Sequence, residues 1–230
     1  MRVLLIQNCP LEGFGRYETY LAERGYSYRV LHPYRHCEFP RVDDYDVFFV
    51  GGTPISALEV NEHQFLGLEW RFLVKVLESH RPYFGVCFGG QLLARLLAGK
   101  VHRRANTEIG GYEVELTELG RSDPLFENFP DRFPVFQWHS DMFESDPDAS
   151  TIATAWNGTA QAFRVGTAVG LQFHLEVSAT DAALWADAYH AELTLVGKDK
   201  VTVVAECQER EAQMAHLADT LLDNYFKLIE

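Results

Sequence analysis

The chain has 230 residues, 47% hydrophobic and 13% aromatic, enough to bury a full core and within the usual size of one α/β domain. Its 33 acidic against 20 basic residues give a formal charge of -13, which argues against a nucleic-acid or acidic-membrane surface, because either needs clustered positive charge. Cys9, Cys37, Cys87 and Cys207 form no C-x-x-C pair, the N-terminus turns polar too early for a signal peptide, and no run approaches the roughly 20 apolar residues of a membrane span, so reduced thiols in a cytoplasm and small-molecule or protein partners are expected.

In chain order, Val3 to Ile6 reads as a strand, followed by a polar loop and a helix from about Tyr17 to Arg24 that stops at Gly25. Tyr26 to Leu31 is a second strand, Pro33 to Asp44 a loop, and Asp46 to Val50 a continuously apolar strand covered on both faces, closed by Gly51-Gly52. Helical spacing of Phe65, Leu66, Leu68, Phe72, Leu73, Val76 and Leu77 predicts a helix over 62–79. The short strand Tyr83 to Val86 follows, then Cys87, then a helix from Gln91 to Ala98 closed by Gly99.

The second half predicts strands near Tyr112 to Leu116, Phe133 to Trp138, Thr151 to Ala155, Ala160 to Val165 and Ala168 to Phe173. Turn-rich pieces such as Asp146-Pro147-Asp148 and Asn157-Gly158 separate them, and some should form an antiparallel extension. Helical spacing returns from Ala182 to about Leu195 and from Ala205 to Leu228, on helices that should pack against the sheet or a partner. No internal repeat or long linker divides the chain, so one domain over 1–230 with a C-terminal helical extension over about 198–230 is expected. Alternating strands and helices favour an α/β fold with a doubly wound, mostly parallel sheet.

Gly85-Val86-Cys87-Phe88-Gly89 has the pattern G-x-C-x-G at a strand-to-helix junction, the thiol form of a nucleophile elbow. Such a turn strains the central residue, and glycines on either side remove Cβ atoms that would collide with it. The following helix N-terminus should favour the thiolate, which is the attacking species. The bland alternative is that Cys87 is a small buried hydrophobe.

Further on, Val169 to Glu176 is an apolar run ending in His-x-Glu, so His174 and Glu176 should share a side or bend together. A thiol-dependent amidase needs an imidazole in reach of sulfur and a third group on the other ring nitrogen. One histidine among nine is as readily structural in a chain of this composition, and no second His or Cys stands at zinc-ligand spacing from His174, so neither metal nor cofactor is expected.

Taken together, G-V-C-F-G-G-Q over 85–91, L-L-A-R-L-L-A-G-K-V over 92–101 and Q-F-H-L-E over 172–176 resemble the class I glutamine amidotransferases. Trp138-His139-Ser140-Asp141 and Glu108-Ile109-Gly110 further resemble the branch near the glutaminase domain of GMP synthase, which also contains stand-alone proteins and γ-glutamyl peptidases. The resemblance covers about residues 1 to 190 and implies a flavodoxin-like fold that hydrolyses the γ-amide of glutamine through a γ-glutamyl thioester on Cys87, with His174 as base and Glu176 orienting it. It also implies an oxyanion hole from the amide of Phe88 and that of Gly52 or Thr53, with Gln91 and the His139, Ser140, Asp141 segment holding the amino-acid end of the substrate.

Three positions depart from the family pattern: Gly90 stands where histidine is frequent, Leu175 where proline is usual, and Thr53 precedes Pro54 where the family has G-G-P. No synthetase domain is expected after the matched region, so an ammonia acceptor would belong to another chain. Three readings stay open: an ammonia-supplying glutaminase with a synthetase partner, a γ-glutamyl peptide or related amide hydrolase, and a non-catalytic binding protein on the same fold. Self-association is open as well.

Overall fold

The computed structural model describes residues 1–35, 38–144 and 150–230; Cys37 and the turn expected at Asp146-Pro147-Asp148 lie outside the described residues. Among the described residues nine strands form one sheet in the order β2-β1-β3-β4-β9-β8-β7-β5-β6. They are β1 Arg2–Ile6, β2 Ser27–Leu31, β3 Val47–Val50, β4 Tyr83–Val86, β5 Lys100–Leu116, β6 Arg132–Glu144, β7 Ser150–Thr154, β8 Ala160–Val165 and β9 Ala168–Leu171. The pairings β2-β1-β3-β4-β9 are parallel. Those through β8, β7, β5 and β6 are antiparallel, which gives the expected doubly wound core with an antiparallel extension.

The parallel strands are apolar on both faces because both faces are covered, and successive side chains go to opposite sides. Val3, Leu5, Val47, Phe49, Phe84 and Val86 pack on one side with Tyr17, Tyr20 and Leu21 of α1 (Gly15–Glu23) and with Leu221, Leu222, Tyr225 and Phe226 of α7 (Lys200–Ile229). Leu4, Ile6, Phe48, Val50 and Tyr83 pack on the other with Leu66, Phe72, Leu73 and Val76 of α2 (Gln64–Glu78) and with Leu92 and Leu93 of α3 (Phe88–Leu96). The C-terminal helix therefore covers the sheet. It also grips α1 by polar contacts: Arg16 donates to both carboxylate oxygens of Asp219 at 2.6 Å, and the Tyr20 hydroxyl donates to Asp223 at 2.6 Å.

Several boundaries differ from expectation, each for a local reason. The helix after Cys87 begins at Phe88, three residues before Gln91, because Cys87 itself is its N-cap. The strand expected at Tyr112 to Leu116 starts at Lys100, and the one expected at Phe133 to Trp138 runs to Glu144, because the two pair along their length around an irregularity between Arg103 and Glu108. The helix expected over 182–195 is two, α5 (Ala179–Ala188) and α6 (His190–Val196), broken at Tyr189 with φ -111° and ψ 31°. A short helix, α4 (Glu118–Ser122), links β5 to β6. Among the described residues no helix is long and apolar enough to cross a membrane.

Candidate active site

Cys87 sits at the carboxyl end of β4 with φ 53° and ψ -110°, a positive-φ backbone that an L-residue adopts only where its surroundings impose it. Its own amide donates to Leu171 O of β9 at 2.8 Å and its carbonyl accepts from Gln91 N at 3.0 Å, which hold the turn from both sides. Glycine is required around it by contact rather than by φ. A Cβ on Gly85 would stand 2.5 Å from the Gly89 carbonyl carbon, one on Gly89 would overlap the Val50 carbonyl, and one on Gly90 would lie 2.6 Å from Leu171 O. The last contact explains why glycine occupies position 90 in this chain.

His174 lies beyond the end of β9, held by reciprocal backbone hydrogen bonds to Phe136 of β6 at 2.9 and 3.0 Å. Its Nδ1 is 2.6 Å from Glu176 Oε1, and Glu176 Oε2 accepts the amide of Leu175 at 3.1 Å. The indole of Trp185 packs edge-on against the imidazole at a centroid separation of 5.3 Å. The other ring nitrogen, Nε2, is buried and has no hydrogen-bond partner of good geometry among the described residues, although the ring is near enough to the Cys87 sulfur for that group to raise its pKa. Burial acts to lower the pKa of this imidazole, but the Glu176 carboxylate and the Cys87 sulfur outweigh it and hold the pKa well above the ordinary value.

The helix N-terminus was expected to favour the thiolate at Cys87. Burial outweighs that effect and pushes this thiol up, with the His174 imidazole and the Phe88 amide at the helix start pulling the other way and Glu12 adding to the rise. The sulfur also makes two long contacts, 3.9 Å to Trp138 O and 4.0 Å from Gln172 Nε2. Thiolate formation therefore depends on the imidazole more than on the helix.

A cavity of about 310 Å³ opens over Cys87. Thr53, Gln91, His139, Ser140 and Asp141 all line it, together with Ser56 and Arg103. Gln91, which could have faced solvent, is buried and donates to Asp141 O at 2.9 Å. Asp141 accepts from Ser56 Oγ and lies 3.3 Å from Arg103 Nε, and Ser140 Oγ is 3.0 Å from Thr107 Oγ1. His139 Nε2 is 3.3 Å from Glu108 Oε2 but off the line of a hydrogen bond. A Cβ built on Gly52 would come 3.9 Å from Cys87 Cβ, so this loop lies beside the sulfur-bearing residue. Phe88 N is the first amide after the sulfur-bearing residue and lies close enough to influence it.

The lining residues that were not anticipated include Glu12, Trp185, Tyr189 and Glu192. Glu12 is buried, accepts from the Tyr189 hydroxyl at 3.1 Å, and would meet any side chain at Gly52. Burial, opposed by the His174 imidazole and the Tyr189 hydroxyl, pushes its carboxyl up to about 7. Glu192 Oε2 accepts the indole N–H of Trp138 at 2.9 Å. The one local hint for Glu12 was its loop position after the first parallel strand, at the edge where crevices of doubly wound sheets open. Tyr189 and Glu192 gave no signal, since they reach the cavity through the break between α5 and α6.

A parallel α/β sheet with a thiol on a strained strand-to-helix elbow, at the floor of a cavity beyond the strand ends, defines a doubly wound protein of the cysteine-elbow class. The sequence profile of "Glutamine amidotransferase class-I" matches residues 16–187, and the chain belongs to that family. It is 29% identical over 181 residues, 76% of each chain, to the glutamine amidotransferase-like protein YfeJ of Salmonella typhimurium. It is 36% identical over 101 residues to the glutamine-hydrolyzing GMP synthase of Pyrobaculum aerophilum, covering 44% of this chain but only 19% of that enzyme. Among solved structures, a glutamine amidotransferase from Thermotoga maritima superposes with a TM-score of 0.89 at 32% identity, over 100% of this chain and 98% of that one.

Proposed function

We propose that the chain hydrolyses the γ-amide of glutamine or of a γ-glutamyl compound through a Cys87 thioester. The observation that carries this reading is the buried, unpartnered Nε2 of His174 beside the Cys87 sulfur, on a ring whose Nδ1 is held by Glu176. Such a ring takes the thiol proton, and the sulfur attacks the γ-carbonyl carbon. Negative charge on the carbonyl oxygen is met by the amide of Phe88 and one from Gly52 or Thr53. The imidazolium then protonates the departing nitrogen, the C–N bond breaks, and water activated by the same imidazole cleaves the thioester to glutamate.

The amino-acid end of the substrate lies against Gln91, His139, Ser140 and Asp141, where Arg103 offers a cation to a carboxylate and Asp141 an anion to an ammonium. A synthetase partner would take the ammonia, as the small share of the GMP synthase that the chain spans suggests. A cytoplasmic setting fits the described thiols Cys9, Cys87 and Cys207, all free. The test is release of glutamate and ammonia from glutamine by the wild type, with loss in Cys87→Ala and selective alkylation of Cys87 by a glutamine-mimicking electrophile. An unreactive Cys87 with no turnover would favour a non-catalytic binding protein instead. Hydrolysis of larger γ-glutamyl amides is supported by the extension of the cavity past Cys87 toward Glu12, Tyr189 and Glu192.

A further inference from the structure

The cavity has two chemically different ends. At one, Arg103 is the only lysine or arginine among the described lining residues, and it is already paired with Asp141 at 3.3 Å and with Glu59 at 3.4 Å. At the other stand Glu12 and Glu192 among Trp138, Trp185 and Tyr189, with no lysine or arginine among the described residues lining that end. The nitrogen expelled as the thioester forms must receive its proton from His174, so it departs on the histidine side. Glu12 faces that side: it acts electrostatically on both His174 and Cys87, and Trp185 packs against the same imidazole.

Resting on the reading above, we infer that Glu12, Tyr189 and Glu192 form a leaving-group subsite that selects γ-glutamyl amides of aliphatic diamines, whose second nitrogen is an ammonium. Two partly or fully desolvated carboxylates close together are costly even with the His174 imidazole opposing the charge on Glu12, and an alkylammonium between them lowers that cost. Trp138, Trp185 and Tyr189 supply the aromatic surface that further stabilises such a cation and accommodates its methylene chain. The like-charge contribution of Glu192 to Glu12 is relieved by the same ligand. An amino acid as leaving group would instead bring its carboxylate against Glu12 and Glu192. The overall reaction is a γ-glutamyl amide plus water giving glutamate and the free amine. The thiolate replaces the amine at the carbonyl carbon, His174 supplies the proton to the departing nitrogen, and water then replaces sulfur.

The experiment compares glutamate release by the full chain from glutamine, γ-glutamylglycine and the mono-γ-glutamyl conjugate of 1,4-diaminobutane. The diamine conjugate should exceed γ-glutamylglycine in kcat/KM by about tenfold or more, mainly through KM. Glu12→Gln should shrink that ratio. Because Glu12 is buried and its replacement could disturb folding, Glu192→Lys at a partly exposed position is the second variant, and it should reverse the ranking in favour of γ-glutamylglycine. Equal or faster turnover of glutamine or γ-glutamylglycine by the wild type, or a ranking unchanged in Glu192→Lys, overturns the inference while leaving the thioester chemistry standing. Turnover of none of the three removes both.

Discussion

Gly89 and the carbonyl of Val50 are packed so closely that no side chain fits between the elbow helix and strand β3. Because the obstructing atom is backbone on a central strand, it cannot swing aside. Gly89→Ala should therefore lose about 3 kcal/mol or more of stability through overpacking, measured by urea denaturation. Gly13→Ala, whose added Cβ meets nothing within 4 Å, is the control and should change stability little.

Glu176→Gln keeps the size of the group that orients His174 but removes the charge holding the imidazole pKa high. It should lower kcat on the order of 10² to 10⁴-fold, with a smaller effect on KM. Steady-state kinetics with glutamine checks this, and an unchanged kcat would remove Glu176 from the mechanism.

The elbow and the His-x-Glu pair were legible because each is local: a five-residue glycine pattern after an apolar strand, and two side chains two residues apart. Their convergence was not visible in spacing, since it arises where β9 pairs with β4 and carries His174 to the sulfur. Glu12 and Tyr189, 177 residues apart, meet only in the folded chain. The long β5–β6 pair was underestimated because its polar stretch around Thr107 to Gly111 lacks the apolar alternation by which strands are read.

Ser56→Ala leaves the buried Asp141 carboxylate without its hydroxyl donor. Loosening of the wall proposed to meet the substrate's amino-acid end should raise KM about tenfold, with kcat less affected, because a buried charged acceptor loses about 1–3 kcal/mol of hydrogen bonding. A kcat loss at constant KM would contradict this assignment.

Glu69 is fully buried on α2 and, among the described residues, accepts from the Asn8 amide alone, at 3.1 Å. Burial raises its carboxyl pKa from 4.5 to about 8, against the lowering effect of that hydrogen bond. The folded state thus binds the proton more tightly than the unfolded chain. The stability this gives is fully present below about pH 4.5 and is lost as pH rises through about 8. Denaturation at pH 5, 7 and 9 should show stability falling by a few kcal/mol toward alkaline pH. Glu69→Gln should flatten that slope; an equally steep decline in the variant would refute the assignment.

The last helix does more than cover the sheet. Glu211 of α7 accepts the amide of Ala179 at 3.1 Å and Cys207 contacts the carbonyl of Val177 at 3.8 Å, just after Glu176, while Asp219 holds Arg16, whose amide donates to Glu176 O at 3.0 Å. The segment that aims the imidazole is thus clamped by the final thirty-residue element. Removing α7 leaves Cys87 on its elbow but takes away the contacts behind Glu176, so the proposed thioester chemistry depends on a helix that does not line the cavity.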